Sequence, residues 1–407
     1  MSFQSLGLSD SLIKAVNKQG YDSPTTIQSK AIPLVLEGKD VLASAQTGTG
    51  KTAGFTLPIL QLLSKTQASK KRHIRALVLT PTRELAAQVQ QSVKDYGEFE
   101  DLKSAVIFGG VSQKPQVSAL KNGVDILIAT PGRLIDLNEQ GLLSLKKLDI
   151  LILDEADRML DMGFLKDIKK IMGLMPEKRQ TLLFSATFSK EIRNLSKTFL
   201  KKPVSVESTP ENTTVDAIEQ QVYRVAKAKK TDLLIKLIKD DDWEQVLVFT
   251  RTKHGANKLV KKLEAAQISA APIHGNKSQT ARTNALADFK DGSVKVLVAT
   301  DIASRGLDIP LLPHVVNFEI PNVSEDYVHR IGRTGRAGAR GLAVSLVSAD
   351  ETVFLKDIEK LIGFKIRKDI LEGFEPDPNA SSKPHNPQKQ KNNQKRFYKG
   401  KRSKQRR

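Results

Sequence analysis

The sequence predicts an α/β fold made of two domains with parallel sheets, followed by a basic tail. Short runs rich in Val, Ile and Leu recur along both halves of the chain, and a turn and a helix-like segment follow each run. Continuous apolar strands that alternate with helices are typical of parallel sheets covered on both faces. The chain has 407 residues, and this length suits two domains of roughly 150 to 200 residues rather than one ordinary core.

The predicted strands form two series separated by a polar segment. The first series comprises 41–45, 76–80, 105–110, 125–130, 149–154 and 181–187, and the second comprises 245–250, 270–275, 294–300, 314–320 and 342–348. The segment VESTPENTTVD at 206–216 is polar, contains a proline and lacks periodicity, so we expect a linker there. The N-terminal domain is thus predicted at 1–205, the C-terminal domain at 217–372 and the tail at 373–407.

Positive charge is concentrated in the tail. Residues 379–407 hold eleven Lys and Arg and no Asp or Glu, so they carry +11 of the net charge of +20. The segment is rich in Gln, Asn, Pro and Lys and has too little apolar content to fold, so we expect disorder. Phe397 and Tyr398 lie among the charges, where rings can stack on bases while lysines meet phosphates. This composition favours a polyanion partner such as nucleic acid, although a merely solubilising tail stays an alternative.

Composition also limits the class of protein. The chain has no cysteine, which excludes disulfides and thiolate metal sites and fits a reducing compartment. Its first residues, MSFQSLGLSDSL, lack the basic and apolar regions of a signal peptide. No apolar run approaches the roughly 18 residues of a membrane span. We therefore expect a soluble cytoplasmic protein with no membrane partner.

A glycine-rich segment follows the first predicted strand. AQTGTGKT at 45–52 resembles a Walker A loop with Ala45 in place of its first glycine. Gly48 and Gly50 let backbone N–H groups turn inward on phosphates at a helix N-terminus. Lys51 can bridge the β- and γ-phosphates, and Thr52 can offer its hydroxyl to Mg²⁺. The residues predicted to bind the nucleotide are Ala45, Gln46, Thr47, Gly48, Thr49, Gly50, Lys51 and Thr52.

Three carboxyl groups follow another predicted strand. In LDILILDEADRML at 148–160, Asp154, Glu155 and Asp157 occur within four positions. Acidic residues in the first turn of a helix are stabilised by the helix dipole, which explains why these residues are negatively charged. A phosphate loop needs an acid for Mg²⁺ and a group that orients or deprotonates water, and Asp154 and Glu155 are placed for these roles. Neither requirement explains Asp157.

Several motifs in the right order resemble the DEAD-box family of ATP-dependent RNA helicases. They include DEAD at 154–157, SAT at 185–187, ATDIASRGLDIP at 299–310 and HRIGRTGRAG at 329–338. The resemblance covers about Ser2 to Glu372 and implies two tandem RecA-like domains of P-loop NTPase type, with ATP and RNA bound between them. The opening residues and the short basic tail are most similar to the bacterial RhlE-type subgroup.

The resemblance implies further ATP-site residues. The segment GYDSPTTIQ at 20–28 resembles the Q motif, in which Tyr21 would stack on adenine and Gln28 would hydrogen-bond its edge. Arg333 and Arg336 resemble arginine fingers that meet the γ-phosphate, and they would act with Lys51, Asp154 and Glu155 in catalysis. Asp308 would contact the ribose or the water network.

The family pattern also implies a coupling group and an RNA site. His329 would connect to Asp157 and to Ser185 and Thr187, so that this group reports the state of the nucleotide. The implied RNA contacts are Pro81, Thr82, Arg83, Gly109, Gly110, Thr130, Arg133, Arg251, Thr300 and Arg305. In isolation such residues are ordinary in turns and helix caps. As RNA contacts they would read the backbone without sequence specificity, with 2′-hydroxyl contacts selecting RNA.

These features predict an RNA-stimulated ATPase. It would unwind short RNA duplexes locally or remodel RNA–protein complexes, coupling ATP hydrolysis to RNA release. The alternatives are an ATP-gated RNA clamp or annealing chaperone, and a DNA helicase of the same superfamily. Ribosomal RNA and pre-ribosomal particles are compatible substrates, as are RNAs in decay and cold adaptation.

Overall fold

The computed structural model describes residues 2–45, 49–66, 72–186, 188–207, 218–301, 309, 312–335 and 341–377. The chain divides into two compact units, the first chiefly of residues up to 214 and the second chiefly of residues from 215 onward. Each unit contains a seven-stranded sheet in which every neighbouring pair of strands is parallel. The predicted α/β fold with two parallel sheets is therefore confirmed.

The first sheet and its helices alternate along the chain from the N-terminus. The strands are β1 Val41–Ser44, β2 Ala76–Leu79, β3 Ser104–Ile107, β4 Ile126–Ala129, β5 Ile150–Leu153, β6 Gln180–Ser185 and β7 Val204–Glu207. The helices are α1 Asp10–Lys18, α2 Thr26–Leu36, α3 Lys51–Ser64, α4 Arg83–Tyr96, α5 Lys114–Lys121, α6 Pro131–Glu139, α7 Ala156–Asp161, α8 Leu165–Met172 and α9 Lys190–Phe199.

The second half of the chain repeats this alternation. Its strands are β8 Ile218–Arg224, β9 Val246–Phe249, β10 Ala270–Ile273, β11 Val296–Ala299, β12 His314–Asn317, β13 Gly341–Val347 and β14 Arg367–Asp369. Its helices are α10 Lys230–Asp240, α11 Lys253–Ala265, α12 Gln279–Lys290, α13 Ser324–Ile331 and α14 Thr352–Ile362.

The two sheets share one topology. Their strand orders are β3-β4-β2-β5-β6-β1-β7 and β10-β11-β9-β12-β13-β8-β14. When the strands of each sheet are counted from its own first strand, both orders read 3-4-2-5-6-1-7. The second half of the chain therefore repeats the architecture of the first.

The first sheet is buried on both faces. Alternate residues of β1 enter different cores, because successive side chains of a strand point to opposite faces. Val41 and Ala43 pack in a cluster with α2, α3 and α4, whereas Leu42 joins the cluster that includes α6, α8 and α9. Burial on both faces explains why the inner strands are continuous apolar runs rather than alternating ones.

Polar residues follow the inner strands at the carboxyl edge of the sheet. Thr80 follows β2, Thr130 follows β4 and Asp154 follows β5, and all three are buried. Because β5 lies beside β2, and β2 beside β4, these residues occupy neighbouring positions at one edge. Ligands of open parallel sheets bind beyond this edge, so the fold gathers the predicted site residues of the first unit there.

Three strands lie outside the predicted apolar runs. β7, β8 and β14 are at or next to a sheet edge, and their sequences VSVE, IEQQVYR and RKD are largely polar. Val206 and Glu207, predicted to belong to the linker, are part of β7, and 208–216 lies outside the described residues. Phe374, predicted to belong to the tail, packs against the core of the second unit, and 378–407 lies outside the described residues.

A buried carboxylate ties the first sheet to the segment before β2. Asp125 is almost fully buried and accepts hydrogen bonds from Arg72, from Arg75 at 2.9 Å and from the N–H of Lys103 at 2.9 Å. Burial alone raises the pKa of Asp125, but these three donors together lower it below its ordinary value. The resulting stabilisation is present above the ordinary carboxyl pKa and is lost as the pH falls through the lowered value.

Substitution Asp125→Ala is expected to destabilise the first unit by about 3 to 5 kcal/mol, because buried Arg75 and half-buried Arg72 lose the buried carboxylate that they share. Chemical denaturation at pH 7 followed by circular dichroism measures the loss. The single tryptophan, Trp243, is buried in the second unit, so its fluorescence reports that unit separately. Asp101→Ala is the matched control, since Asp101 pairs with Arg72 but is 92% exposed. Equal losses of stability in Asp125→Ala and Asp101→Ala would contradict the stabilising role of buried Asp125.

Candidate active site

The N-terminus of α2 is hydrogen-bonded to the phosphate loop. The side-chain hydroxyl of Thr25 donates to the carbonyl of Thr49 at 2.8 Å, and the amide Nε2 of Gln28 donates to the carbonyl of Gly50 at 3.1 Å. The Oε1 of Gln28 accepts from the N–H of Thr25 at 2.9 Å, which forms a capping box. One N–H and one lone pair of the Gln28 amide remain, which suits the edge of an adenine base.

Gly50 is the position where this contact requires glycine. Its φ is +85°, a left-handed value, and it directly precedes α3. A Cβ at Gly50 would lie 2.3 Å from Nε2 of Gln28. The backbone of the loop and the Gln28 side chain therefore approach each other more closely than any side chain at Gly50 allows.

Lys51, the lysine predicted to bind phosphate, is buried at the start of α3. Its Nζ has no hydrogen-bond partner within the described ranges. Thr52 is half-buried on the same turn, and Ala45 is buried and donates its N–H to the carbonyl of Ser185 at 3.1 Å. A buried ammonium group without an acceptor favours an anionic ligand at this point. The loop residues outside the described part of the chain are Gln46, Thr47 and Gly48.

The acidic end of β5 lies close to Lys51. Asp154 is buried, and its Oδ1 accepts the N–H of Glu155 at 2.9 Å. Burial raises the pKa of Asp154 to about 7; the positive charge of Lys51 opposes the rise, and Glu155 and Asp157 add to it. The site therefore combines one ammonium group with three carboxyl groups beside the loop predicted to bind a nucleotide.

Glu155 adopts a strained backbone conformation. Its φ and ψ are 50° and 51°, in the left-handed region that non-glycine residues rarely occupy. The residue is buried, and its Oε2 has no hydrogen-bond partner in the described part of the chain. Strain and an unsatisfied oxygen at one residue are typical of functional sites, where the surrounding fold holds an unfavourable conformation.

Asp157 connects α7 to the end of β6. Its Oδ2 accepts the N–H of Ala186 at 3.3 Å, while its Oδ1 has no partner among the described residues. Ser185 is fully buried at the end of β6, and Thr187 lies outside the described residues. The structure thus joins Asp157 to the SAT segment through a backbone hydrogen bond.

Tyr21 offers an exposed ring on the first unit. Half of its surface is accessible, and its ring centroid lies 6.5 Å from that of Tyr96 in a tilted arrangement. Tyr96 is mostly buried, and burial raises the pKa of its hydroxyl. A fixed aromatic ring with an open face is suited to stacking on a base.

Two arginines of the first unit adjoin the loops predicted to meet RNA. The guanidinium of Arg83 lies against Gly110, where a Cβ would be 2.0 Å from its Nη1, and Gly110 has a φ of +78°. The Nη2 of Arg133 donates to the carbonyl of Val111 at 3.3 Å, while its Nη1 is buried without a partner in the described ranges. Both cations therefore border the same glycine-containing loop.

The neighbouring predicted contacts occupy helix starts and the adjoining loop. Thr82 is the N-cap of α4 and accepts the N–H of Leu85 at 3.3 Å, with Pro81 buried before it. Thr130 precedes α6 and makes no side-chain cap. A Cβ at Gly109 would lie 3.9 Å from the Arg83 guanidinium, which is an ordinary contact distance. Helix N-termini and nearby guanidinium groups together favour phosphate.

In the second unit, Arg251 is already paired. Its guanidinium donates to the buried carboxylate of Glu351, which also accepts the Nζ of buried Lys230. A further contact joins its Nη1 to Asn322 at 3.4 Å. About a quarter of the Arg251 side chain is exposed. Its predicted contact with phosphate therefore involves an arginine held in place by an internal ion pair.

The other predicted residues of the second unit lie at strand and helix ends. Thr300 follows β11 and donates its N–H to the carbonyl of Ile273 at 3.3 Å. His329 is half-buried near the end of α13, and Arg333 is buried just after it. The remaining predictions, Arg305, Asp308 and Arg336, lie outside the described residues.

Sequence reasoning missed two side chains that brace these loops. Arg330 is buried and donates to both oxygens of Asp301, at 2.6 and 2.8 Å, and to Oδ1 of Asn317 at 3.0 Å. It thereby fixes α13, which carries His329. Gln116 accepts from the N–H of Phe108 and donates to its carbonyl, both at 3.1 Å, which braces the loop before Gly109. The position of Arg330 within the HRIGR motif was a usable signal, whereas nothing in the sequence marks Gln116.

The donor set suits a metal that a nucleotide helps to hold. Within the described residues, no three or more His, Asp or Glu side chains form a group that could bind a metal ion by themselves. Mg²⁺ usually takes one or two carboxylates together with substrate phosphates rather than an all-protein cage. Asp154 and Thr52 beside a phosphate loop fit that pattern. Among the described helices, none has the length and apolar character of a membrane span.

Comparison with known proteins identifies the class. The family model described as DEAD/DEAH box helicase matches residues 25–195, and that described as helicase conserved C-terminal domain matches 229–338. The chain is 44% identical over 361 residues to the ATP-dependent RNA helicase CshA of Limosilactobacillus reuteri, covering 89% of this chain and 72% of that protein. It is 41% identical over 370 residues to the ATP-dependent RNA helicase RhlB of Pseudomonas syringae pv. tomato, covering 89% and 93%.

Solved structures give the same result. The chain is similar to S. cerevisiae Dbp5 bound to RNA and ADP BeF3, with a TM-score of 0.82, 32% identity and coverage of 91% of this chain and 95% of that one. It is also similar to the DEAD-box helicase Mss116 bound to ssRNA and UDP-BeF, with a TM-score of 0.82, 29% identity and coverage of 91% and 80%. The chain belongs to the DEAD-box family of ATP-dependent RNA helicases, and its two units are RecA-like domains.

Substitution Gly50→Ala is expected to weaken ATP binding by about tenfold or more, because a methyl group at the Gln28 contact must displace the loop or the amide. Titration with a fluorescent ATP analogue measures the affinity. Gly38→Ala is the matched control: Gly38 has a φ of +75° but nothing lies within 4 Å of its Cβ position. Similar losses of affinity in both variants would show that left-handed strain alone, not the Gln28 contact, causes the effect.

Proposed function

We propose that the acidic end of β5 is the centre of ATP hydrolysis in this helicase. Two buried polar atoms carry the proposal. The Nζ of Lys51 and the Oε2 of Glu155 both lack a hydrogen-bond partner within the described residues. Unsatisfied buried polar atoms are costly, and a phosphate chain with its attacking water supplies partners for both. Lys51 then holds the β- and γ-phosphates, while Glu155 orients the water or accepts its proton.

Thr52 and Asp154 would hold Mg²⁺ together with the phosphates. When bound, the ion neutralises charge on the phosphate oxygens as the γ-phosphoryl group is transferred. Burial favours the protonated form of Asp154 in the chain alone, and a cation favours its ionised form. Nucleotide and metal are therefore expected to bind together.

Two further groups of residues complete the proposed ATP site: one would recognise the base, and the other would supply positive charge. Gln28 would use its remaining donor and acceptor on adenine, and Tyr21 would stack on it. Arg333 and Arg336 would meet the γ-phosphate, and Asp308 would contact the ribose or its water network. Guanidinium groups stabilise the negative charge that develops in the transition state, so hydrolysis would require these two arginines at the γ-phosphate.

A separate set of residues would link hydrolysis to RNA. Asp157 holds the N–H of Ala186, and we propose that His329, Ser185 and Thr187 respond through this connection to the nucleotide. Arg83 and Arg133 would meet RNA phosphates from the loop around Gly110. The remaining proposed RNA contacts are Pro81, Thr82, Gly109, Thr130, Arg251, Thr300 and Arg305. All of these groups suit the backbone rather than base edges.

Finer assignments are also part of the proposal. The opening residues and the short basic tail support membership of the RhlE-type subgroup. The proposed domains are 1–205 and 217–372, extended by β7 to Glu207 in the first and to Phe374 in the second. A cysteine-free chain that works on RNA with ATP supports a cytoplasmic location. Structured RNA such as ribosomal RNA or a pre-ribosomal particle is the proposed substrate, because backbone recognition and a basic tail suit large folded RNAs.

Substitution Glu155→Gln is expected to preserve binding of ATP and RNA but to lower RNA-stimulated hydrolysis by about 10²-fold or more, because the water loses its acceptor. Steady-state phosphate release measures the rate, and nucleotide titration checks binding. Asp161→Asn on the same helix is the matched control, since Asp161 is about half exposed and pairs only with Arg158 among the described residues. An unchanged rate in Glu155→Gln would refute its role.

Removal of residues 379–407 is expected to weaken RNA binding and to flatten its salt dependence while basal ATPase activity stays the same. The cause is the loss of eleven cations that release counterions from RNA. RNA affinity measured over a series of salt concentrations tests this. In a full-length control with Phe397→Ala and Tyr398→Ala, stacking is removed and the charge is kept, so the salt slope should persist. Equal RNA affinity of truncated and full-length protein at every salt concentration would leave the tail a solubilising role only.

A further inference from the structure

Exposed apolar side chains are concentrated in one part of the second unit. Eight large hydrophobic side chains are exposed among the described residues, and four of them lie between 353 and 370. Their exposed fractions are 43% for Val353, 47% for Leu361, 40% for Phe364 and 53% for Ile370. Single exposed hydrophobic residues are ordinary, whereas a group of them favours an interaction site.

Internal contacts hold this group on adjoining elements. Glu359 of α14 accepts the N–H of Ile366 at 3.1 Å and the Nζ of Lys368 at 2.7 Å, which fixes β14 beside the helix. Ile370 directly follows β14 and is 53% exposed, whereas Ile366 before the strand is buried in a core of the second unit. We call the surface made by Val353, Leu361, Phe364, β14 and Ile370 the α14–β14 surface.

The α14–β14 surface is basic around its apolar residues. Its exposed cations are Lys356, Lys360, Lys365, Arg367 and Lys368. Lys356 and Lys360 form no ion pair with any residue in the described part of the chain. Asp357 is the exposed acid of α14, since Glu359 is buried beneath Lys365 and Lys368. Against these five cations, residues 353–370 contain three acids, Asp357, Glu359 and Asp369, so an excess of +2 favours a negatively charged occupant.

The strand β14 also has an edge available for pairing. It is the last strand in its sheet order and pairs with β8 alone among the described strands. Extended peptides bind such edges through main-chain hydrogen bonds, and their alternate side chains provide specificity. Basic residues on an edge disfavour pairing with a second copy of the same edge, because like charges then lie opposite each other.

We propose that the α14–β14 surface binds an acidic, extended segment of a partner protein whose apolar side chains contact Leu361 and Phe364. The chain's own segment 379–407 is an unsuitable occupant, because its charge of +11 repels a basic surface. RNA is less suitable than a peptide, since three of the four exposed apolar side chains are aliphatic and offer no ring for base stacking.

The proposed docking site shares no residue with the predicted ATP, RNA and coupling sites, although Glu351 and Phe354 at the start of α14 contact Arg251. None of the residues predicted for ATP, RNA or coupling lies in α14 or β14, whose residues are 352–362 and 367–369. Changes on this surface should therefore leave basal ATPase and RNA-stimulated ATPase unchanged. The proposal stands whether or not the catalytic roles given above are correct.

Fluorescence anisotropy of the full-length protein with two short synthetic peptides tests the proposal. One probe alternates Glu or Asp with Leu or Ile, and the other carries Ser at the apolar positions. The first probe should bind about tenfold more tightly than the second, since acidic residues alone suffice for the tail but not for this surface. Phe364→Ala and the pair Lys356→Ala with Lys360→Ala should each weaken binding of the first probe by about tenfold.

Matched controls separate this site from the general surface. Phe99→Ala removes a ring that is 39% exposed on the first unit, and Lys146→Ala with Lys147→Ala removes two exposed lysines there. Equal binding of both probes, or equal losses in the surface variants and the controls, overturns the proposal. A loss of RNA affinity in Phe364→Ala would make the surface an RNA site instead. Loss of a dimer in sedimentation by the same variant would make a second copy the occupant.

Discussion

The rest of the molecule depends on one constraint: an ammonium group and two carboxyl groups are buried at the carboxyl edge of the first sheet, with half-buried Asp157 beside them. Lys51 and Glu155 are left with unpartnered polar atoms among the described residues, and Glu155 also has a strained backbone. Burial raises the pKa of Asp154 beside them. Such an arrangement is unfavourable in the chain alone, and the surrounding cores hold it. In the proposed function, ATP would provide the missing partners, so that its binding would relieve the cost of this arrangement.

The sheet topology explains how distant segments reach this point. Parallel strands place β1, β5 and β6 side by side, and therefore place the phosphate loop, the acids and the SAT segment at one edge. Thr25 and Gln28 then join α2 to the loop through Thr49 and Gly50. The same strand order in the second half offers a second carboxyl edge, where Arg330 anchors the helix that carries His329. One architecture thus holds two different sets of predicted functional residues.

Sequence reasoning recovered what periodicity and motif spacing encode. The buried inner strands and the three acids after β5 are local signals, and the structure has both where they were predicted; of the loop predicted at 45–52, residues 46–48 lie outside the described residues. Polar edge strands such as β14 were missed because edge strands need not be apolar runs. The pairing of Arg251 with Glu351 was missed because the two residues are far apart in sequence, and Gln116, eight residues from Phe108, was missed because no motif marks it. The Gln28–Gly50 contact combines both cases: the Q motif marked the residue, and only the structure gave its partner.

We infer that the fold keeps the carboxyl group of Glu155 buried, at a cost in stability, because this group serves hydrolysis. The most direct test is the stability of the nucleotide-free protein, measured by chemical denaturation with circular dichroism, for the parent chain and for Glu155→Gln. Removing the carboxyl group relieves repulsion with Asp154, so the account predicts that the first unit becomes more stable by about 0.5 to 2 kcal/mol. The fluorescence transition of Trp243 in the second unit should not move. A first unit that is destabilised by Glu155→Gln would contradict the claim.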